Sequence, residues 1–364
     1  MKAKKKILTA IIVVALVAAV IAAAAAIFSK PLLSAFATNM VKQRFISQSV
    51  KWDDGLYLGL AGTSGPMPDI NRAGPCAVVQ AGDQLYIVDA GQGAARNIAL
   101  MGFQLGQADA VLLTHFHSDH IADLGEIMMQ RWVGGSNTGP LDVIGPPGVE
   151  TVVEGFNRAY SLDDGYRVAH HGAAAVPPSG AGGIARPFSL AAEDDSSAVI
   201  VDNGGLRITA FKVNHAPVSP AVGYRFDYKG RSLVISGDTV PCSSLTARSQ
   251  GADVLLQSAL QPSMVKLIHD QAGLSSVPSL AKITADIPGY HSSPEDAAKT
   301  ASQAGVRQLV LYHITPPIPN SSLSSMYLGD AGKYYRGPIT LGEDGLLFSL
   351  PANGDRILVK NLLK

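Results

Sequence analysis

Apolar and polar positions divide the chain into an N-terminal apolar run and a long region of short, alternating elements. Residues 7–28 form one uncharged, largely apolar run. From Leu56 onward, brief apolar runs alternate with segments whose apolar positions recur at helical spacing. The brief runs are typical of buried strands, and the periodic segments are typical of amphipathic helices. This alternation predicts a domain that contains both.

The predicted strands and helices alternate along residues 56–359. The strands are expected at Leu56–Leu60, Ala77–Gln80, Leu85–Val88, Ala108–Leu113, Leu141–Ile144, Leu206–Val213, Ala221–Tyr228, Ser232–Ile235, Val254–Leu256, Gln308–Tyr312, Ile339–Leu341, Gly345–Leu350 and Arg356–Val359. The helices are expected at Gly91–Met101, Ile121–Trp132, Val149–Tyr160 and Pro294–Ala304. Residues 161–197 are rich in Gly, Ala and Pro, and we expect a long irregular stretch there. Strands mixed with helices favour one layered α/β domain over residues 55–364.

The N-terminal run has the length and the flanks of a membrane segment. It spans 22 residues, and Lys2, Lys4, Lys5 and Lys6 precede it. About 20 apolar residues cross a bilayer as a helix, whereas a cleaved signal peptide has a shorter apolar core. We therefore expect a signal anchor over residues 1–28 and a linker over residues 29–54, with cleavage near Ser34–Ala37 as the alternative. The lysines would stay cytoplasmic, which places the catalytic domain in the periplasm or outside the cell.

Composition adds two constraints. The formal net charge of the 364 residues is zero, so no global field favours nucleic acid. The chain has only two cysteines, Cys76 and Cys242, which excludes a disulfide framework but leaves a single bond open.

Four side chains of the kinds that bind metals follow a buried strand. His115, His117, Asp119 and His120 lie within six residues, directly after Ala108–Leu113. Neutral imidazole and carboxylate suit zinc and similar divalent ions. Such groups would be costly to bury unpaired, and a metal ion removes that cost.

Three more such side chains come just after other apolar strands. His215 follows Leu206–Val213, Asp238 follows Ser232–Ile235, and His313 follows Gln308–Tyr312. The carboxyl ends of strands are where open α/β sheets place their sites. Four strand ends thus deliver seven potential ligands, and the sequence predicts a metal centre.

The run Thr114–His120 resembles the His-x-His-x-Asp-His signature of the metallo-β-lactamase superfamily. The resemblance covers roughly residues 55–350 and implies a four-layer αββα sandwich, with the metal site at one edge of its two sheets. Within the superfamily, Gly62–Pro68 with Arg72–Pro75, and Tyr290–Ala298 with Leu311–Ile314, resemble the ribonuclease Z branch and the related zinc arylsulfatases.

This resemblance implies a binuclear site and a role for each side chain. Two Zn²⁺ ions are the usual cofactors of the family, with Mn²⁺ or Fe²⁺ as alternatives. Asp119 would also orient the attacking water, which becomes a metal-bridging hydroxide. His291 would protonate the leaving oxygen. The first ion would be held by His115, His117 and His215, the second by Asp119, His120 and His313, and Asp238 would bridge the two.

Two departures from the ribonuclease Z pattern bear on the substrate. Gln257 occupies the place of a glutamate that pairs with the counterpart of His291 in that family. The family also clamps tRNA with a protruding arm, and residues 161–197 are the only comparable insertion. That stretch has Arg167 and Arg186 as its cations beside five acidic residues, a poor match for RNA phosphates.

These features predict a zinc-dependent, ribonuclease Z-like phosphodiesterase. The alternative is an arylsulfatase-type enzyme that cleaves sulfate esters. A lactonase and a non-catalytic metal-binding surface protein rank below both. A small phosphodiester or sulfate ester is the expected partner. Nucleic acid is not favoured, a homodimer is left open, and no substrate-binding residue is assigned.

Overall fold

The computed structural model describes residues 2–42, 52–274 and 277–364. The chain separates into two compact units, Met1–Lys51 and Trp52–Lys364.

In its described part, the N-terminal unit is one helix, α1, over Lys2–Val41. It continues through residues 29–41, where a linker was expected, and residues 43–51 of that linker lie outside the described residues. Within α1, the candidate span Ile11–Val41 contains an 18-residue window with a mean hydropathy of 3.1, and it has the length to cross a membrane. A signal sequence has the same properties, so this helix alone does not establish membrane crossing. The predicted domain boundaries stay a prediction.

The second unit is built on two mixed sheets. In chain order, its described strands are β1 Gly55–Gly62, β2 Cys76–Ala81, β3 Gln84–Val88, β4 Ala110–Leu112, β5 Leu141–Gly145, β6 Gly183–Pro187, β7 Ser197–Asn203, β8 Leu206–Lys212, β9 Val222–Tyr228, β10 Arg231–Ile235, β11 Val254–Leu260, β12 Gln308–Thr315, β13 Ile339–Leu341, β14 Leu346–Pro351 and β15 Leu358–Asn361. One sheet has the order β15-β14-β1-β2-β3-β4-β5-β6, and the other has the order β13-β12-β11-β10-β9-β8-β7.

Helices connect the strands and cover the sheets. They are α2 Ala94–Leu100, α3 Ser118–Ile121, α4 Leu124–Gly135, α5 Val149–His171, α6 Ser243–Arg248, α7 Pro262–Leu274, α8 Pro278–Asp286, α9 Pro294–Gln303, α10 Ser324–Leu328 and α11 Ala331–Tyr334. Ser293 caps α9: its hydroxyl accepts from the backbone N–H of Asp296, whose carboxylate accepts from the backbone N–H of Ser293.

Burial on both faces explains the continuous apolar runs in the sequence. The two sheets share a central apolar core that includes Leu58 and Leu256. On the other face of the first sheet, α2, α4 and α5 contribute to a second core, and α6, α9 and α11 contribute to a third core on the second sheet. Every residue of β1 and β11 is therefore buried. Strands enclosed in this way lose the alternation of half-exposed strands.

The expectation of a long irregular stretch at residues 161–197 is wrong. Helix α5 continues to His171, and β6 adds a strand to the first sheet. This end of α5 extends beyond its packed part, since Leu162 and Tyr166 are 70% and 60% exposed. Without a buried face it has no apolar periodicity, and a local ion pair between Arg167 and Asp163 supports it instead.

A buried arginine joins the two sheets. The Arg231 side chain on β10 is fully buried and donates two hydrogen bonds of 3.0 Å to Asp253. It also donates to the carbonyl oxygens of Pro351, the last residue of β14, and Arg356. Removing the Arg231 guanidinium would leave Asp253 with the half-exposed Arg307 as its ion-pair partner and would remove both hydrogen bonds to the carbonyl oxygens, which is costlier than losing a surface pair.

We therefore expect Arg231→Ala to lower the free energy of unfolding by about 3–5 kcal/mol. Urea unfolding followed by circular dichroism measures it. Arg207→Ala is the matched control, because Arg207 on β8 pairs with Asp202 where both side chains are more than half exposed. The control should lose under about 1 kcal/mol. Equal losses would show that the buried link has no special role.

Candidate metal centre

The seven predicted ligands converge from strands of both sheets. His115, His117, Asp119 and His120 follow β4, whereas His215 and Asp238 follow β8 and β10. His313 lies inside β12 rather than after it, and its φ of 54° is unusual for a residue other than glycine. The structure thus brings together in space what the sequence places on four separate strands.

The ligand atoms form three overlapping groups. Within each group, the atoms all lie within 4.8 Å of one another. Two of the groups share Asp238. The first group contains His115, His117, His215 and Asp238, the second contains Asp119, His120 and His313, and the third contains Asp238, His291 and His313.

Asp238 lies at the middle of this arrangement. Its Oδ2 atom is 3.1 Å from Nε2 of His313 and 3.4 Å from Nε2 of His120. The corresponding distances to His115 and His215 are 4.0 and 3.9 Å. A single buried carboxylate oxygen is thus within 4 Å of both predicted ligand sets, the position that a bridging ligand would need.

Hydrogen bonds outside the centre fix the orientation of two imidazoles. Nδ1 of His120 donates to Asp89 at 2.9 Å, so its Nε2 faces the ligand cluster. Nδ1 of His215 donates to the carbonyl oxygen of Tyr290 at 2.9 Å, with the same effect. Partners of this kind select the tautomer of a metal-binding histidine.

Sequence reasoning missed Asp89 and the carbonyl group of Tyr290. Asp89 directly follows the apolar strand β3, so the strand-end pattern that marked Asp238 also marks this residue. It accepts hydrogen bonds from the backbone N–H and the hydroxyl of Thr114, which ties β3 to the start of the ligand-bearing loop. Nothing in the sequence identifies the Tyr290 carbonyl, because every residue has one.

Burial and charge set the protonation of the cluster. Burial lowers the pKa of His115, His117 and His215, which keeps these imidazoles in the neutral form that binds metals. Burial opposes ionisation of Asp238, yet His313 and His120 outweigh it and hold the pKa of this carboxyl well below its usual range. Asp238, Asp89 and Asp119 raise the pKa of His120 despite its burial. Such concentrated negative charge is what a bound cation would neutralise.

Several buried atoms at the centre have no hydrogen-bond partner. Among the described residues these include Nε2 of His120, Oδ1 of Asp238 and Nδ1 of both His291 and His313. Buried polar atoms are nearly always paired, so unpaired atoms among the candidate ligands, such as Nε2 of His120 and Oδ1 of Asp238, indicate a ligand. Neutral imidazoles with carboxylates are a donor set for divalent metal ions. The residues present therefore fit a divalent metal.

His291 lies beside the ligands, but Gln257 does not bond to it. Nδ1 of His291 is 3.8 Å from Asp238, and its ring stacks on that of His313 with centroids 5.2 Å apart. Burial lowers the pKa of His291 to about 3. Gln257 is fully buried on β11, and neither atom of its amide has a hydrogen-bond partner within the described ranges.

The loop that follows β1 borders the centre and is held by Asp344. This carboxylate accepts hydrogen bonds from the Thr63 hydroxyl, the Ala73 backbone N–H and the Asn97 amide. Burial raises the pKa of Asp344 to about 6. The loop passes so near the centre that a Cβ at Gly74 would lie 3.1 Å from the Asp119 carbonyl oxygen. Glycine at this position permits that approach.

Comparison with known proteins identifies the family. A family profile described as "Beta-lactamase superfamily domain" matches residues 86–314. Ribonuclease Z of Mycobacterium bovis BCG Pasteur is 37% identical over 291 residues, which are 79% of this chain and 96% of that protein. Ribonuclease Z of Mycolicibacterium gilvum is 39% identical over 261 residues, 71% of this chain and 84% of that protein. The chain belongs to the ribonuclease Z branch of the metallo-β-lactamase superfamily. It is a metal-dependent hydrolase of the phosphodiesterase type.

Solved structures agree on the fold. Human tRNase Z, short form, has a TM-score of 0.55 at 20% identity and covers 81% of this chain and 99% of its own. The metallo-β-lactamase fold protein YhfI from Bacillus subtilis has the same TM-score at 22% identity, with coverages of 81% and 100%. These likenesses extend over the two-sheet unit and concern the fold alone.

The predicted location of the catalytic domain is wrong. A periplasmic or extracellular domain on a membrane anchor was expected from the N-terminal run. The relatives are ribonuclease Z enzymes, and this finding contradicts a periplasmic or extracellular, membrane-anchored location. They also give no support for a membrane partner. Hydropathy and flanking lysines describe how a segment would insert, and they do not show that it is inserted.

Removing one ligand should change the metal stoichiometry. We expect the intact chain to bind two equivalents of Zn²⁺ and His313→Ala to keep about one, because the second group would lose a ligand while His115, His117 and His215 remain. Plasma mass spectrometry after gel filtration measures this. His170→Ala, at the exposed end of α5, should keep both equivalents. Two equivalents in His313→Ala would contradict the assignment of His313.

Proposed function

We propose that this chain is a binuclear zinc phosphodiesterase that cleaves RNA. The observation that carries the proposal is the pair of ligand groups, each compact enough for one ion, that meet at the buried carboxylate of Asp238. The membership of the chain in the ribonuclease Z family supports the choice of phosphodiester bonds. The named relatives are not sulfatases, and no contact in the described centre favours a sulfate ester over a phosphodiester.

The residues divide the chemistry between them. His115, His117 and His215 would hold one ion and Asp119, His120 and His313 the other, with Asp238 shared. When bound, such ions acidify a shared water and neutralise charge that develops on the phosphoryl oxygens. Asp119 is the carboxylate ligand open to solvent, with 15% of its side chain exposed against 1% for Asp238. It is therefore the carboxylate that can orient an incoming water.

His291 would act on the leaving oxygen. Its unpartnered Nδ1 lies at the centre, and only 6% of its side chain is exposed. The low pKa of His291 means that the imidazole is neutral near pH 7, and a neutral imidazole still carries one N–H. That N–H can donate to the oxygen on which negative charge develops as the P–O bond breaks.

Two departures define how this enzyme would differ from its relatives. The neutral Gln257 amide could not stabilise a charged His291 as a carboxylate would. The protruding end of α5 and the segment after it contain two arginines. Arg167 is paired with Asp163, and Arg186 is paired with Asp142. Weak electrostatic capture of RNA is the consequence, with a small dependence of KM on salt.

Parallel assays on two esters test the proposed reaction. We expect the zinc-loaded full chain to hydrolyse bis-p-nitrophenyl phosphate and a short RNA, and to leave p-nitrophenyl sulfate intact. Loss of diester cleavage in the presence of EDTA and its return on adding Zn²⁺ would show that the metal is required. Cleavage of the sulfate ester alone would overturn the proposal in favour of the sulfatase alternative.

Replacing His291 separates the leaving-group role from metal binding. We expect His291→Ala to lower kcat on RNA by roughly 10²–10⁴-fold, because the alkoxide leaving group then departs without a proton donor. The loss on bis-p-nitrophenyl phosphate should be smaller, since p-nitrophenolate leaves readily unaided. Metal content should match that of His170→Ala. An equal loss on both substrates, or unchanged turnover, would contradict the role.

A further inference from the structure

A sizeable cavity lies beside the metal centre. It has a volume of about 720 Å³, and His215 forms part of its wall. The remaining wall comes from segments that follow β5, β6 and β8 and from the start of α6, so both sheets contribute to it. This volume is within the range of about 300–1,000 Å³ that is usual for small-ligand sites. Apart from His215, no residue that lines this cavity has a role assigned above.

The wall combines apolar surface with a few neutral polar groups. Phe188, Leu190, Val218 and Pro241 supply apolar surface, and the Ser189 hydroxyl is one of the neutral polar groups. The ring of Phe188 is held edge-on against Tyr224, with centroids 6.4 Å apart. An aromatic ring held by the core before a ligand arrives loses little side-chain entropy on binding.

The cavity has no uncommitted positive charge among its described lining residues outside the metal centre. Lys212 is the only lysine or arginine in the wall, and its Nζ donates to the Ala192 carbonyl at 2.7 Å and to Asp194 at 3.1 Å. Asp194 also lines the cavity, so the pair is neutral. A second phosphate would compete with Asp194 for Lys212, whereas an uncharged group leaves the pair intact. The cavity therefore suits an uncharged group that is flat enough to lie against Phe188.

We propose that this cavity binds an uncharged nucleobase of the RNA substrate, attached through its sugar to the phosphate at the metal centre. The inference rests on the proposed function and extends it from the scissile bond to a recognition subsite. His215 joins the two places, because it is both a candidate metal ligand and a wall of the cavity. Base stacking on the Phe188 ring and hydrogen bonds to neutral polar groups of the wall provide the attraction.

A cysteine in the cavity wall can report whether a ligand occupies the cavity. Cys242 lines the cavity and is half-buried, whereas Cys76 is fully buried, and both are free thiols. We expect iodoacetamide to label Cys242 of the full, zinc-loaded chain, and uridine to slow that labelling in a saturable way. Inorganic phosphate, which should bind at the metals, should not slow it. Cys242→Ser identifies the labelled site.

Labelling of Cys242 that uridine leaves unchanged at saturating concentration would overturn the proposal. Equal protection by uridine and inorganic phosphate would do the same, because it would place the protecting contact at the metals. Protection by p-nitrophenol but not by uridine would show a site for simple aryl groups, which also overturns a nucleobase site. These readouts need no turnover, so they are independent of whether the phosphodiesterase assignment is right.

Kinetics provide the second test, with substrates that release the same product. Thymidine 5′-p-nitrophenyl phosphate carries a base, and methyl p-nitrophenyl phosphate does not. We expect the intact chain to favour the thymidine ester in kcat/KM on the order of tenfold or more, as stacking of one base would give. Ser189→Trp, which fills the cavity from an exposed wall position, should reduce this ratio towards one.

The control variant is Ser302→Trp, which adds the same side chain at an exposed position of α9 outside the cavity. It should keep the full preference for the thymidine ester. An unchanged preference in Ser189→Trp, with normal metal content and melting temperature, would overturn the proposal. Absence of hydrolysis of both esters by the intact chain would count against the proposed function, and the labelling result would then decide the cavity on its own.

Discussion

Burial of the Asp238 carboxylate is the constraint on which the rest of the centre depends. An isolated buried carboxylate is very unfavourable, so it must be surrounded by groups that stabilise negative charge. Here the surrounding groups are histidines delivered by β4, β8 and β12, strands of two different sheets. The two sheets must therefore pack in one relative position for the charge to be tolerated, and the same packing brings the ligands together.

The backbone next to Asp238 is closely packed, and the preceding residue, Gly237, has no room for a side chain. Gly237 has a φ of 62°, and a Cβ there would lie 2.8 Å from the Val222 carbonyl oxygen and 2.9 Å from Cβ of Thr114. A residue with a side chain would push β10 away from the ligand-bearing loop of the first sheet. Thr114 in turn donates to Asp89, which orients His120. The packing of the two sheets at Gly237 thus affects the orientation of the His120 imidazole, through the Thr114 hydroxyl and the Asp89 carboxylate.

The sequence predicted most strands, and it marked the candidate ligands that the structure brings close together, because strands and strand-end polar residues both leave strong local patterns. Runs such as that of β11 are continuously apolar since both faces are buried, and the ligands stand out as polar groups at strand ends. The sequence did not predict that α5 continues to His171, because an exposed helix has no periodic apolar face. The absence of a bond between Gln257 and His291 could not be foreseen, since burial and facing direction are tertiary properties. The location was misjudged because hydropathy cannot tell an inserted helix from an uninserted one.

In the proposed complex, the metal centre would bind the charged phosphodiester and the adjoining cavity would bind the neutral base. At the centre, buried carboxylates and imidazoles leave unpartnered atoms that a cation can satisfy, and a cation in turn attracts a phosphodiester. In the adjoining cavity the one lysine among the described lining residues is paired with Asp194, which reduces its attraction for a second phosphate. A substrate with one phosphodiester and one flat, neutral base would therefore bind in a single orientation, with the phosphodiester at the metals and the base in the cavity. If Lys212 were free, it would compete with the metal centre for the phosphate, and the reactive bond would be held less often where Asp119 and His291 can act on it.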